Sequence, residues 1–293
     1  MARFAVLTAR GDLPVHRELA AAARRLGHRL EVMLAAETAV RAQPPQLWRR
    51  GRPVAVDDLA AVLPRVSEWR PDSTLALLAG LLAAGVPSVN RPAAIRRGRD
   101  HWRTAAALAA AGLPHPETIA GSEPAAVAAA AAAAFGFPCV VKLRRSRQGL
   151  GVVRCAGRAE LEAVLDSFWR LGDEVVVQRF CPPGGVARRV LVLDGEALGV
   201  AEHVAAAAEF RANAARGARV RAVDADAGTT TLAVAAAGAV GLDFAGVDLL
   251  PDDGRWLVGE VNPTPGWRSF RRATGVPVAE RLVAALARRG GGR

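Results

Sequence analysis

Apolar and polar positions over the first ninety residues switch between two periods. Residues 4–8 form a short apolar run. Residues 14–26 carry apolar side chains at helical spacing, with Gly27 placed as a C-terminal cap, and 29–34 read as a second strand. A proline-rich connection over 43–53 leads to a third strand at 59–63. A helix over 73–84, stopped at Gly85, and a strand at 86–89 follow. Strands alternating with helices predict a small parallel sheet.

Beyond Arg91 the pattern coarsens. Residues 92–111 read as one long helix ending at Gly112, followed by the extended connector Leu113-Pro114-His115-Pro116. An alanine helix over 124–134 is stopped by Phe135-Gly136-Phe137-Pro138. A strand at 139–142, a loop at 146–151, a strand at 152–155, a helix at 158–171 and a strand at 174–180 come next. After the loop Pro182-Pro183-Gly184-Gly185 and a strand at 189–193, Asp194-Gly195 signals a hairpin. A helix over 230–240, a hairpin over 244–262, a helix over 278–288 and a Gly/Arg tail expected to fray complete the chain. Two uncharged windows, 73–90 and 124–141, are interrupted by Gly and Pro and read as buried helix turning into strand, not as membrane spans. No secretory signal reads from the first residues, so a cytoplasmic location with no membrane partner is expected.

Composition sharpens this picture in two ways. At 293 residues, 51% hydrophobic and 23% charged, the chain can bury a core in two or three units. Its three cysteines (Cys139, Cys155, Cys181) are far apart in sequence and form no CxxC pair, which excludes a disulfide framework or a cysteine-based zinc site. The net charge of +11 comes almost wholly from arginine: of 39 basic residues only Lys142 is lysine. A chain that uses Arg for every other cation draws attention to what Arg cannot do at 142. An ammonium is a compact point charge, whereas guanidinium is a wide planar fork. The arginines are dispersed among acidic residues and form no long basic tract, which disfavours nucleic acid as the partner.

Several chemistries are absent by inspection: there is no GxGxxG after the first strand, no P-loop ahead of Lys142, no GxSxG and no HExxH. A constellation in the second half remains. Lys142 ends a Val-Val strand and precedes Ser146-Arg147-Gln148-Gly149-Leu150-Gly151, a way to bring a cation and bare backbone N–H groups against phosphate oxygens. In the hairpin, a three-residue loop Asp252-Asp253-Gly254 would set Asp248 opposite Val258. It would gather Asp248, Glu260 and Asn262 on one face, with Val247, Leu249 and Val261 on the other; a two-residue loop would split them. Two carboxylates and an amide oxygen suit a hard cation, and ion pairs with some of the arginines are the competing arrangement. Arg189, Arg211 and Asn213 offer cations and an amide for a phosphoryl group or a carboxylate.

In this order the pieces resemble the RimK-like branch of the ATP-grasp superfamily, carboxylate–amine ligases. The matching stretches are Asn90-Arg91-Pro92, Arg99-Asp100, Pro116-Glu117-Thr118, Val140-Val141-Lys142 with its glycine loop, Gln178 to Phe180, Arg189, Phe210 to Asn213, Gly241 to Asp248, and Glu260-Val261-Asn262-Pro263. The resemblance implies an α/β (α+β) ATP-grasp fold in three parts: an N-terminal Rossmann-like domain over 1–90, a lid subdomain over 91–178 and a C-terminal subdomain over 179–293, with ATP held between the last two. It implies that Lys142, Ser146, Gly149, Gly151, Gln178, Arg179 and Phe180 bind ATP. Asp248, Glu260 and Asn262 would hold Mg²⁺, with Mn²⁺ as a substitute, and Arg189, Arg211 and Asn213 would serve phosphoryl transfer. The implied reaction is ATP-dependent amide formation through an acyl phosphate, adding an amino acid such as L-glutamate to an anionic small-molecule or protein acceptor, with homo-oligomers left open. A nucleotide binder without catalysis and a basic nucleic-acid-binding protein are the alternatives. The chain departs from the family at four places: His101 stands for a usual lysine, Arg179 for an acidic residue, Ala187 for an aspartate, and His203 lies where an arginine is expected.

Overall fold

The computed structural model describes residues 1–66, 70–145, 150–206, 209–212 and 217–291. The chain divides into two compact units, Met1–Ile95 with Thr264–Arg293 and Arg96–Pro263. The segment after Pro263 therefore belongs with the N-terminal residues, not with 179–263 as the sequence-based division has it.

In the first unit, β1 (Arg3–Thr8), β2 (Arg29–Leu34) and β6 (Leu59–Arg65) form the expected parallel sheet, in the order β2-β1-β6. Helix α1 (Pro14–Arg25) is strongly amphipathic and lies against α9 (Val278–Gly290), which also covers β6. The opposite side is filled by α2 (Pro71–Ala83), whose Leu75, Leu78 and Leu81 join Leu7, Val62 and Ile95 in one buried cluster. Two expectations fail here. The proline-rich connection contains β4 (Gln46–Arg49) and β5 (Arg52–Val54), which with β3 (Thr38–Arg41) make a separate antiparallel sheet. Residues 86–89 are not a strand; they contribute a single bridge, Val62 to Ser88.

The expected helix over 92–111 is two, α3 (Pro92–Gly98) and α4 (His101–Ala110). Asp100 breaks it, because its carboxylate caps α4 by accepting the Arg103 N–H at 3.1 Å, and a residue with extended backbone cannot also continue α3.

The second unit is built from two sheets. The smaller has the order β7-β10-β8-β9, from β7 (Thr118–Ile119), β8 (Cys139–Leu143), β9 (Val152–Cys155) and β10 (Val175–Arg179). Strand alternation divides its faces. Cys139, Val141, Cys155 and Val177 pack on α5 (Pro124–Ala134) and α6 (Arg158–Arg170), while Val140, Lys142, Val152 and Gln178 face the other way. Cys139 and Cys155, distant in sequence, are directly opposite across β8 and β9; both are buried and free.

The larger sheet has the order β13-β12-β11-β14-β15, from β11 (Val186–Leu193), β12 (Glu196–Val204), β13 (Arg219–Ala222), β14 (Phe244–Asp252) and β15 (Arg255–Asn262), and is backed by α7 (Ala227–Val240). The β11–β12 turn is the expected Asp194-Gly195 pair, both residues at positive φ.

The β14–β15 hairpin corrects the expected register. Asp252 pairs with Arg255, so the turn has two residues, Asp253 and Gly254, not three. Continued regularly, that pairing would put Asp248 and Glu260 on opposite faces. A β-bulge prevents this: Leu249 pairs with Val258, but Asp248 pairs with Glu260, so Gly259 is the extra residue and the phase is restored. A side chain at Gly259 is poorly accommodated, since a Cβ there would lie 2.8 Å from Leu250 Cγ and Cδ1. Gly259→Ala is expected to cost about 1–3 kcal/mol through this overlap. The readout is a lower urea midpoint at unchanged slope, and an unchanged midpoint would show that Leu250 yields freely.

Candidate functional site

The inward faces of the two sheets of the second unit bound a cleft of about 990 Å³, counted to its open mouth. One part is apolar, with Pro116, Val140, Val152, Phe180, Phe210 and Leu250 as walls. The other is charged, with Lys142, Asp248, Glu260 and Arg211. Apolar walls together with a cluster of opposite charges suit a ligand that has both a ring and anionic groups.

Lys142 is brought here by β8, where it pairs with Val152 on one side and Val176 on the other. Burial lowers its pKa from the usual lysine value, and the carboxylates of Glu260 and Asp248, with the Cys181 thiol, oppose that shift. The lone lysine and the acidic hairpin thus act on one another across the cleft. Gly151 ends the loop that follows. Its φ of +62° and the 2.3 Å that a Cβ would leave to Leu143 Cδ1 exclude a side chain there. Ser146 and Gly149 lie outside the described residues.

On the larger sheet, Arg189 (β11), Asp248 (β14) and Glu260 (β15) are successive cross-strand neighbours, and Asn262 follows on the same face opposite Gly246. Arg189 holds Asp248 through two hydrogen bonds, Nε to Oδ1 at 2.7 Å and Nη2 to Oδ2 at 2.5 Å. Burial works against the guanidinium's charge, but Asp248 outweighs it and the arginine's pKa moves up. The ion pair anticipated as the competitor of a metal therefore exists at Asp248. It does not exhaust the site's acceptors: an ionised carboxylate offers about four lone-pair positions, and Arg189 uses two. With Glu260 directly opposite and the Asn262 amide one step along, the donor set fits a hard divalent cation. Among the described residues no group of three or more His, Cys, Asp or Glu side chains is arranged for a metal, so the Asn262 amide is what would complete the set.

The remaining expected residues are placed as follows. Gln178 and Phe180 line the apolar slot. Phe180 stacks edge-to-face on Phe210 with centroids 6.3 Å apart, and the Arg154 guanidinium lies 4.5 Å from its ring. Arg179 also borders the cleft, but it is clamped to Asp252 at 3.0 and 2.9 Å. Arg211 faces the cleft while paired with Glu209 at 2.7 and 2.8 Å. Asn213 lies outside the described residues. His101 stands at the start of α4 facing Lys142. Burial first, then the Lys142 charge, pull its pKa down to about 3, so it is a neutral donor or acceptor and not a second cation. His203 is 1% exposed and bonded to the Ala212 backbone; burial, with Arg189 nearby, lowers its pKa as well. Sequence reasoning assigned no role in the cleft to Val152 and Leu250, nor a partner to Gln178 in Thr118, because these neighbours are set by strand pairing and not by local spacing.

Comparison with known proteins agrees with this architecture. Residues 98–286 match the RimK-like ATP-grasp domain. A probable alpha-L-glutamate ligase of Serratia proteamaculans is 33% identical over 98% of this chain and 96% of its own length, and one of Pseudomonas paraeruginosa is 32% identical over 99% and 96%. Among solved structures, the ATP-grasp ligase PsnB complexed with a minimal precursor superposes with a TM-score of 0.76 at 23% identity, covering 97% of this chain and 98% of that one. The RimK domain protein ATP-grasp of Sphaerobacter thermophilus reaches 0.73 at 25% identity, covering 97% and 98%. PsnB has also been solved with Mg and ADP.

Two sheets closing on a cleft with a cation on one wall and an acidic hairpin on the other define the class: this is an ATP-grasp ligase. Within that class, the chain belongs to the RimK-like family. Among the described residues no helix is long and apolar enough to cross a membrane.

The Arg189–Asp248 pair is largely buried, and breaking it from one side should be costly. Asp248→Asn is expected to lower the unfolding free energy by about 3 kcal/mol, because a buried guanidinium loses its carboxylate. Arg189→Met combined with Asp248→Leu should regain most of that loss. A urea titration in which Asp248→Asn alone changes nothing would mean that water already screens the pair.

Proposed function

We propose that the protein is an ATP-dependent carboxylate–amine ligase that adds L-glutamate to an anionic acceptor through an acyl phosphate, releasing ADP and phosphate. The observation that carries this reading is that Lys142, on the smaller sheet, and Asp248 with Glu260, on the larger, face one cleft within the second unit. The names of the relatives, probable alpha-L-glutamate ligases over nearly the whole chain, support glutamate as the amino acid. The precursor bound to PsnB supports a peptide among the acceptor classes, beside a small-molecule carboxylate.

In this reading the triphosphate lies between the two walls. Lys142 places its ammonium against phosphate oxygens, a role that a compact, desolvated cation performs more closely than a guanidinium. Asp248, Glu260 and Asn262 would hold Mg²⁺, which when bound neutralises charge on the phosphates. Phe180, Phe210, Val140 and Leu250 enclose the base and exclude water. Arg211, at the rim of the charged part, and Arg189, behind Asp248, supply fixed positive charge toward the transferring phosphoryl group and the acyl phosphate formed from the substrate carboxylate. No protein nucleophile is required, and the chain contributes position, dryness and charge.

The test is phosphate release from Mg·ATP with glutamate and a panel of carboxylate acceptors. Lys142→Ala and Glu260→Gln are each expected to reduce turnover by about 10²–10³-fold, the usual loss when one preorganised electrostatic contact is removed. Turnover indifferent to both substitutions would remove this assignment. Nucleotide binding without turnover on any acceptor would favour a binder without catalysis.

A further inference from the structure

The chain has six tryptophans, and among the described residues only Trp102 and Trp169 are exposed, at 39% and 51%. Both border one cavity of the second unit. Its walls come from α4, α5, α6 and the loops after β7 and α6, and it has no wall residue in common with the cleft. It measures about 1240 Å³, counted to its open mouth, and Val127 and Leu165 give it an apolar side. An exposed indole leaves a large apolar face in water, and two on one cavity mark a binding surface.

The charges around this cavity run against those of the chain. In a protein of net charge +11, its lining holds one arginine, Arg144, and two acids, Asp173 and Glu174. Arg144 is already committed: Nε donates to both oxygens of the buried Asp100 carboxylate at 3.0 Å, and Nη1 donates to Glu174 at 2.9 Å. Asp173 has no ion partner among the described residues. Indole faces beside an unmatched carboxylate select a cation. A guanidinium suits them better than an ammonium, because it is flat enough to stack and its fork matches a carboxylate. The cavity exceeds a lone guanidinium in size, and its apolar side can take the methylenes of the side chain and a neighbouring residue. We infer that this cavity docks an arginine side chain of a polypeptide partner, with the guanidinium against Trp102, Trp169 and Asp173. The docking is independent of the nucleotide reading of the cleft.

The probe is the peptide acetyl-Leu-Arg-Gly-amide, titrated into the full chain by calorimetry beside counterparts with citrulline or lysine in place of arginine. Citrulline keeps the shape of arginine and removes its charge. The arginine peptide should bind about 10-fold more tightly than the citrulline peptide, with lysine between them. Attraction to the protein as a whole cannot produce that order, since a chain of +11 repels cations. Trp169→Ala should weaken the arginine peptide by about 2–30-fold. Asp173→Asn should weaken it by about 2–5-fold and narrow its advantage over citrulline. Both are surface positions, so folding is not at stake. Arginine binding no tighter than citrulline or lysine overturns the inference, as does an arginine affinity that neither substitution moves. Absence of binding by the arginine peptide overturns it too, and each of these results leaves the ligase reading intact.

Discussion

A cation taken out of water must be answered by negative charge or it loses its proton, and the second unit is organised around that requirement. Lys142 sits on a sheet whose other face is packed with Val141, Cys139 and Val177 against alanine-rich and amphipathic helices. Its charge is answered first by Glu260 on the hairpin of the other sheet, then by Cys181 and by Asp248 on the same hairpin. The same hairpin also answers Arg189, which is why the two carboxylates must stand side by side and not on opposite faces. Charge balance across the cleft and strand register within the hairpin are thus one constraint seen twice.

Much of this was legible in the chain itself. Period-2 alternation in 139–142 and 174–180 separates the residues that meet helices from those that meet the cleft, and the singular lysine lies on a wall of that cleft. The failures are equally specific. A bulge leaves no trace in apolar spacing, so a regular hairpin with a longer turn was the natural inference from Asp252-Asp253-Gly254, and it was wrong about the turn while correct about the shared face. The antiparallel sheet of β3, β4 and β5 was hidden because Pro44, Pro45 and Pro53 read as loop, although Pro53 stands at a short strand of its own. The pairing of Thr118 with Gln178, sixty positions apart, and of Arg179 with Asp252, depends on strand neighbours that no local window contains.

The four departures from the family pattern also gain a physical account. Arg179 reverses the usual charge at its position, yet its bidentate contact with Asp252 matches that charge locally, and it holds the Asp252 carboxyl below its ordinary range. His101 and His203 stand where cations are usual, and burial keeps both imidazoles on the neutral side. Ala187, directly opposite His203 on the neighbouring strand, removes an acid from the same wall. Cations at 101 and 203 and an acid at 187 are absent together, and Lys142 remains a compact cation on the wall of the cleft.

The bulge at Gly259 has one more implication, for how this hairpin can drift over evolutionary time. Because the extra residue sits between the tip and the acids, the tip and the acids obey separate parity rules. A single-residue insertion at the Asp253-Gly254 tip would turn the carboxylates away from the cleft, but the loss of Gly259 would turn them back. Relatives with one-residue-longer tips and no glycine at this point would carry the same acidic face by a different count, and an alignment that pads the gap at the tip alone would pair the wrong residues.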